Sequence, residues 1–158
     1  MYKQFYPALF ALCKTFFADN HDILTALNNG MLKVFKNIDQ FDAAKGTLFN
    51  WAYTVVRNSS LTLIRDKKTQ ASLELKESLP DVVEINPFRE KGWNDIYSLL
   101  AKLPPVTRAV CSLFYLEDYS INEISASLEM KEGTVKWHLS ESRSRLRNII
   151  QPNLNKSA

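Results

Sequence analysis

Phe49, Trp51 and Tyr53 fall within five positions and are followed by Arg57 and Asn58, with Arg65, Lys67 and Lys68 a little further on. Flat rings interleaved with cations suit unstacked nucleic acid, in which bases lie against the rings while phosphates meet lysine and arginine. The same rings also suit the core of a helical bundle, and the residues by themselves leave both roles open. A second group lies near the C-terminus. There Lys136, Ser140 and Arg147, with Arg143 and Arg145 beside them, are side chains that reach phosphates or base edges. Glu141 sits among them and is repelled by phosphate unless it accepts from a cytosine amine.

Helices must position both groups. At roughly 100° per residue, Leu48, Ala52, Val55 and Val56 share one side of a helix, Asn50, Thr54 and Arg57 the other, and Trp51 the border. Gly46 supplies a break and Thr47 an N-cap, so this helix is expected from there to about Asp66. Upstream, Phe5, Leu9, Leu12 and Phe16, and then Leu24, Leu27, Met31, Val34, Phe35 and Ile38, recur at spacings of three and four. That spacing predicts two helices, each with one apolar stripe, the first starting near Pro7.

Residues 71–92 change character: acidic residues outnumber basic ones, Pro80 and Pro87 interrupt any helix, and no stripe persists. This segment is expected to be a linker. Trp93, Ile96, Tyr97 and Leu100 open a second helical block. Leu103-Pro104-Pro105 ends one helix and starts the next, in which Val106, Val110, Leu113 and Phe114 form the buried stripe. Ser120 and Glu123 match a capping box ahead of a short helix carrying Ile121, Ile124 and Leu128. After the turn "EMKEG", a longer helix from Thr134 places Val135, Leu139, Leu146 and Ile149 inward and Lys136, Trp137, Ser140, Ser144 and Arg147 outward. Short helix, tight turn and longer basic helix make a helix-turn-helix pattern. The expected fold is therefore all-α, with two small helical domains at 1–70 and 93–152, the linker between them and a tail at 153–158.

Composition narrows the function. A chain of 158 residues with a net charge of +3 is only mildly basic, so the distribution of charge, not its sum, must argue for nucleic acid. Cys13 and Cys111 lack paired spacing and sit in apolar patterns, as buried free thiols in a reducing cytosol do. The apolar start "MYKQFYPALFALCKTFF" is broken by lysines and too short for a span; the expected location is cytoplasmic, without membrane insertion. No catalytic pattern emerges: His21 and His138 belong to no metal motif, and four glycines form no phosphate loop. No enzyme activity, cofactor, metal or small-molecule substrate is expected. His138 is expected to flank the recognition helix.

The runs "VFKNIDQFDAAKGTLFNWAYTVVRNSSLTLIRDKK" and "LPPVTRAVCSLFYLEDYSINEISASLEMKEGTVKWHLSESRSRLR" resemble the two regions of a bacterial RNA polymerase sigma factor of the extracytoplasmic-function group. The resemblance implies an N-terminal domain (region 2) that binds the polymerase clamp and opens the minus-10 element, and a C-terminal domain (region 4) that reads the minus-35 element. By position it puts Trp51 at the upstream edge of melted DNA, Phe41 and Asn58 at a pocket for a flipped base, and Lys45, Arg57, Arg65, Lys67 and Lys68 beside the strand. It puts Lys136, Ser140 and Arg143 at the major groove, with Arg145 and Arg147 on phosphates and Thr134 and Trp137 also in the minus-35-binding region. Asn28, Asn29, Leu32 and Phe35 fall on the polymerase-facing helix, where Asn28-Asn29 replaces the Gln-Glu pair of many relatives, and an anti-sigma factor is an implied partner. The alternatives are a conventional helix-turn-helix regulator, or a helical interaction module that has lost promoter activity.

Overall fold

The computed structural model describes residues 2–70 and 86–151, so most of the expected linker and the expected tail lie outside the described residues. Its helices form two compact units, the first ending at Gln70, and no strand occurs among the described residues.

The first unit packs three helices: α1 (Tyr2–Phe16), α2 (Asn20–Lys36) and α3 (Leu48–Gln70). Leu9, Leu12, Cys13 and Phe16 of α1 meet Ile23, Ala26, Leu27, Met31 and Val34 of α2 and Ala52, Val56, Leu61 and Ile64 of α3 in one core. Buried hydroxyls are satisfied locally, Thr15 donating to the Leu12 carbonyl at 2.7 Å and Ser60 to the Val56 carbonyl at 3.0 Å. Burial pushes the Cys13 thiol up to about 11, and Cys111 of the second unit up to about 12, which keeps both sulfurs protonated and unreactive.

Two expectations fail here. The first helix begins at Tyr2, not near Pro7, which lies exposed inside it. Proline removes one ladder bond but sits close enough to the N-terminus for the helix to continue around it. The predicted α2 stripe also splits: Leu27, Met31 and Val34 are buried, whereas Leu24, Phe35 and Ile38 are exposed. The buried side is completed instead by Ile23, Ala26 and Gly30, small or branched residues that permit close approach to α3.

At Gly30 that approach is tightest, because a Cβ would stand 2.9 Å from Val56 Cγ2 and 3.0 Å from Val56 Cα. Alanine gains about 1 kcal/mol of helix propensity but must push a backbone aside, an overpacking that costs about 1–3 kcal/mol. Gly30→Ala should therefore lower stability by about 1 kcal/mol net. A raised denaturation midpoint in that variant would show that the interface yields freely.

The second unit contains α4 (Trp93–Ala101), α5 (Pro105–Tyr115), α6 (Ile121–Leu128) and α7 (Glu132–Ile150). Pro105 opens α5 as expected, and the Ser120–Glu123 capping box closes in both directions at 3.1 and 3.2 Å. Left-handed Glu129, with φ of 51°, ends α6, and α7 starts at Glu132, two residues before the expected Thr134. Helix α5 is buried almost all round, including Thr107, Arg108, Ala109 and Ser112, while Val106 and Phe114 of its predicted stripe are only half-buried. Phe88, expected in the linker, is 5% exposed and joins Ile96, Leu99, Leu100, Leu103 and Leu146 in the core, so folded structure precedes α4.

Candidate nucleic-acid interface

In the first unit, the segment between α2 and α3 is stiffened by side-chain caps. Asp42 accepts from the Ala44 backbone N–H at 2.9 Å, and Thr47 Oγ1 accepts from Asn50 N–H at 3.1 Å, which starts α3 as expected. Gly46 between them adopts a φ of 147°, outside the range that side chains favour. This segment and the first turns of α3 enclose a cavity of about 390 Å³ lined by Phe41, Lys45, Asn50, Trp51 and Thr54 among others. The Trp51 ring stands 5.7 Å from that of Phe41, tilted by 51°, and both are half-buried.

Trp51, Asn58 and Arg65 recur every seven residues, which puts them along one line of α3 spanning about 20 Å. Asn58 is exposed, but it lies two turns from Trp51 and does not line the cavity. Phe41 and Asn58 are thus not walls of one pocket. The cations along this helix are differently placed. Lys45 is exposed on the cavity rim, and Arg57 and Lys68 are half-buried. Arg65 donates to Thr62 Oγ1 at 3.2 Å. Lys67 pairs with Asp22 at 2.8 Å and lies 5.9 Å over the Phe17 ring, so it braces α3 against the start of α2.

On α2, Asn28, Asn29, Leu32 and Phe35 are all exposed, the last two by 53% and 49%. Leu24, Leu32 and Phe35 make an exposed apolar stripe, interrupted by the polar Asn28 and Asn29, that no element of the unit covers among the described residues. Beside it a groove of about 320 Å³ runs between α2 and α3, lined by Asn29, Leu32, Lys33, Lys36 and Thr62.

In the second unit, α7 buries Val135, Leu139 and Leu146, with Ile149 half-buried, as its pattern predicts. It also buries His138, whose Nδ1 lies 2.9 Å from Thr107 Oγ1 on α5, so the expectation of His138 beside the outer face fails. A lone imidazole facing an apolar neighbour is accommodated once a hydroxyl can bond it. Lys136, Ser144, Arg145 and Arg147 are exposed, and Thr134, Trp137, Ser140 and Arg143 half-buried. Arg145 is paired with Glu141 at 2.8 Å one turn away, which offsets that carboxylate within the helix face. Arg143 donates to the Tyr115 hydroxyl at 2.6 Å.

Two participants escape a reading of the sequence. Tyr115 has the look of one more core aromatic, and Arg108 of part of an apolar helix; a contact across 28 positions distinguishes the first, and the turn that folds α5 back on the end of α4 the second. Among the described residues, no cluster of His, Cys, Asp or Glu could hold a metal ion, and no helix is long and apolar enough to cross a membrane.

Two all-helical units, the second with its α6–α7 pair, define a protein of the helix-turn-helix class. Residues 1–70 match the Sigma-70 region 2 family and residues 93–146 the Sigma-70, region 4 family. Sequence similarity extends to the ECF RNA polymerase sigma factor SigE of Mycolicibacterium smegmatis, 24% identical over 99% of this chain and 62% of that protein. The ECF RNA polymerase sigma factor SigW of Bacillus subtilis is 26% identical over 90% of this chain and 83% of its own length. A similar fold occurs in the sigma factor RpoE, in complex with the anti-sigma factor NepR from Bartonella quintana. The match has a TM-score of 0.52, 17% identity and coverage of 96% and 95% of the two chains. The chain belongs to the sigma-70 family, in its extracytoplasmic-function group.

Proposed function

We propose that this chain is a sigma factor: it binds core RNA polymerase, directs it to a set of promoters and helps open the minus-10 element by binding energy, with no chemistry of its own. The observation that carries this reading is the half-exposed Trp51 ring above a cavity that also holds Phe41 and Lys45, on a helix line shared with Asn58 and Arg65. A ring so placed can stack where a base pair has parted, and a base turned out of the duplex can enter the cavity beside it. Helix α7 then reads the minus-35 element through Lys136, Ser140 and Arg143, with Arg147 on phosphate. Such a factor works where polymerase and chromosome are, in the cytoplasm. Because the solved sigma factor RpoE is held by an anti-sigma factor, a protein of that kind is a reasonable partner for this chain too.

The uncovered apolar face of α2 supplies a surface for the polymerase, with Leu32 and Phe35 at its centre. Exposed apolar residues grouped on one face mark a partner site. This supports binding even though Asn28-Asn29 replaces the pair found in many relatives. The deciding experiment mixes the purified chain with core enzyme and tests for promoter-specific transcripts. A conventional regulator would bind duplex DNA tightly alone and need another sigma factor, and a bare interaction module would neither start transcripts nor co-purify with polymerase.

Lys136 and Arg147, both exposed, allow a separate check on the second unit. Replacing either with alanine should weaken promoter binding: Arg147→Ala should lower the slope of log K against log salt by about one, for the phosphate no longer neutralised, and Lys136→Ala should relax base preference in the minus-35 element. An unchanged slope in Arg147→Ala, or unchanged preference in Lys136→Ala, removes that residue from its assigned place in the interface.

A further inference from the structure

We infer that Tyr115, on α5 and outside the recognition helix, is a positioning residue for promoter reading: its hydroxyl fixes the guanidinium of Arg143. The inference rests on the reading of α7 as the helix that enters the major groove. Lys136, Ser140, Arg143 and Arg147 stand at i, i+4, i+7 and i+11 and so lie along one line of α7. The two ends of the line are exposed, whereas Arg143 is half-buried and its Nη1 donates to Tyr115 Oη at 2.6 Å.

Tyr115 is itself held on two sides. Its ring meets Phe114 edge-on at 5.0 Å and 88°, and Phe88 at 6.0 Å and 83°. Phe88 is buried, and its backbone N–H donates to Asn86 Oδ1 at 2.9 Å, so the support reaches back to the segment before α4. A continuous set of contacts therefore runs from that segment through the tyrosine to one side chain of the helix.

Holding Arg143 in this way bears on recognition. A surface arginine gives up rotamer freedom when it binds, and one already held in place gives up less. A bidentate contact to guanine needs two N–H groups aimed at O6 and N7 together, so the direction of the fork decides whether the contact forms. Tyr115 would act on base preference through Arg143 without touching DNA.

The test uses the full chain assembled with core polymerase, selected on a pool of promoter duplexes randomised in the upstream element. Tyr115→Phe removes the hydroxyl and keeps both ring contacts; Arg143→Ala and the double variant complete the cycle. Arg143→Ala should lose about 5- to 100-fold in preference at one base pair. Tyr115→Phe should lose about three- to tenfold at the same pair, with an unchanged melting temperature, and the double variant should be no worse than Arg143→Ala. Full preference in Tyr115→Phe, with loss in Arg143→Ala, overturns the positioning role and leaves the recognition helix standing. Unchanged preference in both, with loss in Lys136→Ala, also overturns it, because Arg143 then reads nothing. Absence of any upstream preference in the native complex overturns the recognition-helix reading, and this inference with it.

Discussion

Trp51→Ala, assembled with core polymerase, should form the initial closed complex with promoter DNA but open it about 5- to 150-fold less, the equivalent of the ~1–3 kcal/mol that a base stacked on an aromatic ring is worth. The loss should concentrate in opening, because the indole has nothing flat to stack on until a pair is broken. Its environment supports this: the ring is half-buried against Phe41, beside the cavity, and not enclosed in the core that Ala52 and Val56 of the same helix join. Folding should be little affected, since the ~3–5 kcal/mol lost when an aromatic is truncated applies to fully buried rings. Trp51→Phe retains a stacking face and should recover much of the opening. Base unpairing followed by permanganate reactivity of thymines separates the two steps. Equal reactivity in native and Trp51→Ala complexes, at equal closed-complex affinity, would remove Trp51 from strand capture.

The largest effect on stability is expected at Arg108. This residue is 7% exposed, and its Nε donates to the Leu100 carbonyl at 2.8 Å while Nη2 donates to the Leu103 carbonyl at 2.8 Å and the Ala101 carbonyl at 3.4 Å. The last carbonyls of a helix have no partner within it. Here α4 ends at Ala101 and Pro104 has no N–H to offer; the guanidinium from α5 meets the Ala101 and Leu103 carbonyls and adds a second donor to the Leu100 carbonyl, which also accepts from Leu103 N–H at 3.1 Å. A cation at the C-terminal end of α4 is also favourably placed in the field of that helix.

Hydrogen bonds to a charged group contribute ~1.5–3 kcal/mol each and do not simply add, so Arg108→Ala should cost about 3 kcal/mol. A unit of this size has only about 3–10 kcal/mol in total. The melting temperature of the second unit should then fall by about 12–24 °C. Arg108→Lys should recover only part of the loss, because an ammonium cannot span carbonyls on both sides of the turn. A native melting temperature in Arg108→Ala would mean that water satisfies the same carbonyls at no cost.

Trp51 and Arg108 differ in how far the chain announces them. The Trp51 constellation is visible in the sequence as rings and cations at close spacing, and the capping signals of Thr47 and Ser120 are local enough to read directly. Helical periodicity likewise places the α6–α7 pair, because amphipathic spacing is a property of the chain before it packs. Family resemblance then supplies roles that spacing alone does not, and the matches to regions 2 and 4 agree with it.

What the linear pattern leaves open is the use of each face. Leu24, Phe35 and Ile38 have the same apolar character and spacing as Leu27, Met31 and Val34, and nothing local says which set α3 will cover. The close approach at Gly30 marks the covered face, since only a position without a side chain lets Val56 come so near. The cations are ambiguous for a similar reason: Lys67 and Arg143 have ordinary neighbours in sequence, and their partners Asp22 and Tyr115 lie 45 and 28 positions away. Amphipathic period, caps and breaks are local and were determined by the amino-acid sequence itself. Which apolar face stays open, and which positive charges are already engaged, depends on contacts between distant segments, and these the tertiary structure alone decided.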